Sequence, residues 1–253
     1  MNDFITLYLK ELRAQRMVIG VLLLGTLGLS IYALTGLGDV PQPRLALIIL
    51  PYASALGLPF LLIHAISSEW SAQTHYQILA LPVPRWLVLL SKVAVVLSLG
   101  VVIYLCSTVF LQVIADRMTA MMLAQDGSGD SFRIEPHMDG STVWAVSGIV
   151  YGVLLLPLLG IACAASGVRV MAQRFKGLST LGVFVAGAYL YVKLRIPIVH
   201  ALEKIFGKWE LDLPIHHGTA TASDVHLLLM YSVLFAALGV GVGAVLFEKY
   251  VEA

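Results

Sequence analysis

Apolar residues run along this chain in six long blocks separated by polar stretches, and block length sets the first expectation. A helix crosses the hydrocarbon of a bilayer in about 20 residues. Residues 17–37, 45–66, 86–115, 143–168, 178–192 and 226–247 each supply a window of that kind. The third block is long, and Lys92 in its first turns is expected to snorkel towards the headgroups, leaving Val93 to Ala115 as the spanning part. The fifth is short, because Lys193 and Arg195 close it and a charge at the bilayer centre costs about 3 kcal/mol. The pattern predicts an all-α, polytopic membrane protein with six transmembrane helices in a single domain, residues 1–253.

The stretches between the blocks have patterns of their own. In residues 1–16, Phe4, Leu7, Tyr8 and Leu12 recur at helical spacing while Lys10, Glu11, Arg13 and Gln15 gather elsewhere, which predicts an amphipathic helix lying along the membrane surface. Asp3 comes early and Lys10, Arg13 and Arg16 come late, unlike a signal peptide. Residues 116–142 form an outer loop containing the acidic, Gly-rich DGSGDS. The outer segment 193–225 opens with KLRIPIVHALEKIFGKWELDL, where Val199, Leu202, Phe206 and Trp209 share one helical face. Pro197 fits the first turn of such a helix, so an outer amphipathic helix is expected there.

Residues 67–85 carry EWSAQTHYQILALPVPR, a polar stretch between two long apolar blocks. Ala72, Tyr76, Leu79 and Ala80 fall on one helical face, with Ser71, Thr74 and His75 on another. Pro82 and Pro84 then forbid a continuous helix into the third span. A short helix across the inner face of the membrane, followed by an elbow, is the expected form.

Composition agrees with the block pattern: 59% of the residues are hydrophobic and 12% charged, with a mean hydropathy of +0.89, against about 25% charged in soluble domains. A net charge of +1 offers no concentrated cationic surface for nucleic acid. Cys106 and Cys163 lie inside apolar blocks, where a thiol behaves as a small apolar side chain. With both termini on the inside, the inner segments carry nine basic residues (Lys10, Arg13, Arg16, Arg85, Lys92, Arg169, Arg174, Lys176, Lys249) and five acids. The outer segments then carry seven basic and ten acidic residues. By the positive-inside rule the termini are expected in the cytoplasm.

Candidate chemistry is sparse. No G-x-x-x-x-G-K-[ST] loop occurs, so nucleotide binding through a P-loop is not expected of this chain, and HExxH is absent. GVGVGA places Gly239 and Gly243 in a GxxxG spacing within the last block, a pattern for close helix packing or a dimer contact. Pro51, Pro59 and Pro157 lie within blocks and kink helices there. Outside the blocks, His137, Met138, His216 and His217 offer imidazole and thioether groups that suit copper. Without a repeated ligand spacing they read equally as ordinary loop residues, and no metal is expected.

The inner segment resembles the type-2 ATP-binding-cassette exporter permeases, whose half-permeases have six spans. The likeness rests on LYLKELR in the N-terminal helix, on Glu69 just after the second span, on the ending ILALPVPR and on Lys92 early in the third span. The basic loop RVMAQRFK and the long outer segment between spans five and six add to it. In topology it covers the whole chain; in sequence it covers residues 67–92, and Gln73 stands where the family often has a small residue.

The resemblance implies that residues 69–81 are a coupling helix docking in a groove on a separate P-loop ATPase. In that arrangement Glu69 and Trp70 anchor the start of the helix, Thr74, His75 and Gln77 face the ATPase, Gln73 lies among them, and Pro82 and Pro84 stiffen the link. It further implies two ATPase copies holding ATP and Mg, a second six-span half, identical or related, and a bacterial or archaeal cytoplasmic membrane. The chain itself would not be an enzyme. Because no charge falls deep in a span, the expected cargo is amphipathic or apolar: a lipid, peptide or antibiotic. The competing expectation is a non-transporting membrane scaffold or sensor whose outer loops bind a ligand, copper included.

Overall fold

The computed structural model describes residues 2–35, 42–71, 84–125, 140–172, 175–207, 210–215, 218–223 and 225–250. In chain order these form α1 (Asn2–Ala14), α2 (Arg16–Thr35), α3 (Gln42–Ser71), α4 (Arg85–Gln125), α5 (Gly140–Met171), α6 (Lys176–Phe206), β1 (Glu210–Ile215), β2 (Gly218–Ser223) and α7 (Val225–Tyr250). Six of these helices, α2 to α7, are long and apolar enough to cross a membrane, at Arg16–Thr35, Ile49–Ser68, Trp86–Ile114, Val146–Met171, Lys176–Phe206 and Val225–Lys249. The chain is a multi-pass membrane protein, and its described residues are helical apart from one short antiparallel hairpin.

The bundle is organised around α3, α4 and α5. Leu58, Leu62 and Ile66 of α3, Leu89, Val96 and Leu99 of α4, and Tyr151, Leu155 and Leu159 of α5 form one buried cluster. Ile19 and Leu23 of α2 and Val240, Ala244 and Phe247 of α7 pack on its flanks. Hydroxyls within the spans are satisfied by their own helices: Ser30 donates to Thr26 O at 2.7 Å, Ser107 to Ile103 O at 2.8 Å and Ser166 to Ala162 O at 2.7 Å. Bonding back one turn lets a polar side chain sit in an apolar interior without a partner on another helix. α6 stands at the periphery, held by stacking of Phe184 on Phe60 (5.3 Å between ring centres) and of Tyr191 on Tyr231 (5.0 Å). The Tyr231 hydroxyl also donates to Tyr191 O at 2.7 Å.

Several boundaries differ from those the sequence predicts. The fifth span does not close at Lys193, and among the described residues no separate outer helix follows it. α6 runs on through Lys193, Arg195 and Pro197 to Phe206 as one 31-residue helix, about 46 Å long at 1.5 Å per residue. Charged residues do not break a helix, and these two stay exposed at its side. Gly207, at φ 77°, ends it; a positive φ suits glycine, which has no Cβ to clash. Beyond it the described residues pair as β1 with β2, from Glu210↔Ser223 to Ile215↔Gly218. α4 likewise continues past residue 115 to Gln125, because MTAMMLAQ contains strong helix formers and no Gly or Pro.

The N-terminal helix also departs from expectation. It does not turn its Leu7 and Tyr8 face to lipid; Leu7 is buried, and Tyr8 bonds Ser98 Oγ on α4 at 2.9 Å. Nor does Lys92 snorkel. Its ammonium lies 2.8 Å from Glu11 Oε1, with side chains 2% and 5% exposed. A carboxylate delivered from α1 replaces the water that snorkelling would otherwise have to reach.

Candidate functional site

The segment that carries the family resemblance joins α3 to α4. α3 is continuous from its apolar window through Glu69 and Trp70 to Ser71, so the backbone of these two residues forms the last turn of a spanning helix and does not begin a new one. Pro84 is exposed, its carbonyl accepts the Leu87 N–H at 2.9 Å, and α4 starts at Arg85. Gln73, Thr74, His75, Gln77 and Pro82 lie outside the described residues. What is described is the mounting: Ile63 and Ile66 at the end of α3 and Leu89 at the start of α4 belong to one buried cluster. Both ends of the segment are therefore fixed in the same packed core.

Beside this mounting, α1 crosses the first turns of α4. Glu11 meets Lys92, Tyr8 meets Ser98, and Ser98 Oγ in turn lies 2.8 Å from Val95 O. Both amide atoms of Gln15 are buried with no hydrogen-bond partner among the described residues. Glu11 and Lys92 are each visible in the sequence as polar residues in amphipathic or spanning helices. Nothing in their spacing shows that they meet, because the contact depends on how α1 folds back on a helix three elements later.

A groove of about 450 Å³ opens between α2 and α3, its walls including Val21, Leu22, Gly25, Ser54, Gly57 and Leu61. The hydroxyls on its wall are engaged locally, Thr26 with Leu22 O at 2.7 Å and Ser54 with Pro51 O at 2.6 Å. The surface it presents is accordingly apolar. At the far end of the bundle a second hollow of about 380 Å³ lies between α6 and α7, edged by Arg195, His200 and Glu203. There His200 Nδ1 and Glu203 Oε2 are 3.4 Å apart.

Gly239 and Gly243 face α5 within the same chain. A Cβ on Gly239 would stand 2.5 Å from the carbonyl carbon of Gly160, and one on Gly243 would stand 2.8 Å from Cys163 O. His137, Met138, His216 and His217 lie outside the described residues. Among the described residues, no three His, Cys, Asp or Glu side chains gather as a metal site would require.

The fold and this geometry define a six-span membrane protein whose second and third spans are bridged by a polar segment mounted at both ends. No protein-family model matches the chain, and neither a curated protein nor a solved structure matches it.

Proposed function

We propose that this chain is the permease subunit of an ATP-driven exporter of the type-2 ATP-binding-cassette kind, working with two copies of a separate P-loop ATPase and a second six-span half. The supporting observation is the mounting of residues 72–83. An unbroken α3 leads into the segment, α4 leads out of it, and both helices are rooted in one buried cluster. A displacement that a partner passes to the ends of α3 and α4 would move two spans together, because both helices share that cluster. Rocking of rigid bodies is the usual consequence of such a connection. A nucleotide-driven partner shifts the permease between arrangements only if it binds them with different free energies.

In this reading both termini are cytoplasmic, placing residues 67–85 and the basic RVMAQRFK on the ATPase side in a bacterial or archaeal cytoplasmic membrane. Glu69 and Trp70 hold the start of the coupling segment, Gln73, Thr74, His75 and Gln77 face the ATPase, and Pro82 and Pro84 limit its bending. ATP and Mg belong to the partner; this chain contributes no catalytic group. The apolar groove between α2 and α3 favours an amphipathic or apolar cargo, a lipid, peptide or antibiotic, over a small ion. The exposed apolar flanks of α2 and α6 offer surface for the second half.

Capture of the chain expressed together with its genomic neighbours tests the assignment. The expected result is retention of a P-loop ATPase whose hydrolysis responds to the permease; retention of none overturns the reading. Glu69→Ala is expected to leave the membrane fold and ATP hydrolysis intact while abolishing cargo movement, and unchanged coupling would remove Glu69 from the mechanism.

A further inference from the structure

The ion pair between Glu11 and Lys92 has an effect on the opposite side of α1. Of residues 4–16, Glu11 is the one acid, and it is turned inward and buried. Lys10, Arg13 and Arg16 all remain exposed. Among residues 4–16 the outward side therefore carries three cations and no acid. That side also keeps an apolar stripe: Ile5, Leu9 and Leu12 are 51%, 44% and 37% exposed. At 3.6 residues per turn they fall within about 60° of one another, away from the face formed by Leu7 and Glu11. α1 thus has two apolar surfaces, one spent on α4 and one still open.

The position of the open stripe identifies what meets it. α2 begins at Arg16 and is the first of the six helices long and apolar enough to cross a membrane, so α1 ends one residue before the start of a spanning helix. An amphipathic helix at that level seats its apolar side at the acyl boundary and its cations among phosphates. We propose that the Ile5, Leu9 and Leu12 stripe with Lys10, Arg13 and Arg16 is a binding surface for anionic phospholipid in the adjoining leaflet. Lys92 and Glu11 neutralise each other out of reach of that leaflet, and they hold the helix at the roll angle that presents the stripe. The inference does not rest on the exporter reading, and failure to capture an ATPase leaves it standing.

The test uses the full chain in lipid nanodiscs, with Cys106→Ser and Cys163→Ala and a fluorophore on Leu9→Cys or, separately, on Ile5→Cys. Quenching by dibrominated phosphatidylglycerol is compared with quenching by dibrominated phosphatidylcholine at equal mole fraction. The expected result is stronger quenching by the anionic lipid, its local enrichment rising about fivefold for each cation engaged. Addition of about 1 M salt, which shortens screening to about 3 Å, should remove the difference without any substitution. K10Q/R13Q/R16Q should remove it at low salt while eluting like the unsubstituted protein. Equal quenching by the two lipids overturns the proposal, as does quenching by neither, which would place the stripe against water or another protein.

Discussion

The α5–α7 contact and the α1–α2 side of the bundle solve helix association in opposite ways. Along α5 and α7, backbones touch: Gly160, against the backbone of Ala236, and Gly239 and Gly243 leave no room even for a methyl group. Small residues at such a seam let van der Waals contact do the work that apolar burial cannot do in lipid. On the other side, α1 is fastened to α4 by an ion pair and a hydroxyl contact. There α2 leans away from α3 with Gly25 and Gly57 facing open space and a groove between them. The same residue, glycine, closes one interface and leaves the other unfilled. The first region is built to stay shut, and the second has both the space and the polar fastenings of a part that can be repositioned.

The contrast can be broken by substitution on either side. The largest effect is expected from Lys92→Met, which leaves Glu11 buried without its counter-charge and should cost about 3–5 kcal/mol in detergent unfolding. Adding Glu11→Leu should recover most of that loss, since a buried pair replaced by apolar side chains is often neutral or better. If the double variant stays as unstable as the single one, the polar fastening is not what holds this side. Next comes Gly239→Ala, where the new methyl meets carbonyl atoms that cannot rotate away; about 1–3 kcal/mol of destabilisation is expected. A neutral result would show that the seam can open.

Gln15→Leu should raise stability by about 1 kcal/mol, because it removes a buried amide that lacks partners among the described residues. Gly57→Ala is the smallest and has the opposite sign to Gly239→Ala. Among the described residues nothing outside its own helix backbone lies within 4 Å of the added methyl, so the helix should gain about 0.5 kcal/mol from the loss of glycine's freedom. Finding Gly57→Ala as costly as Gly239→Ala would erase the distinction between the two sides.

The spans were legible because bilayer thickness imposes a length that hydropathy alone reveals. Their ends were less so: the charges at Lys193 and Arg195 mark where hydrocarbon could end, yet a helix does not need hydrocarbon to continue, and α6 carries on to Phe206. The amphipathic character of residues 1–16 was readable, but its two apolar stripes were not separable by spacing, since only the contact with α4 decides which one faces protein. Gly239 and Gly243 announced a close approach without naming Gly160 and Cys163 as what they approach. At the polar segment, the structure describes the helices on either side, α3 to Ser71 and α4 from Arg85, and not residues 72–83 between them; the meeting of Glu11 with Lys92 belongs to tertiary folding alone.

That ion pair imposes an order on biogenesis. Glu11 leaves the ribosome with the first helix, and its counter-charge arrives only after two spans and the polar segment have been made. Until then α1 has no buried place that tolerates a carboxylate, so it must wait at the water-facing boundary. α1 therefore docks only once Lys92 at the start of the third span is in place, and a nascent chain halted before Lys92 should carry an α1 more open to protease than that of the finished protein.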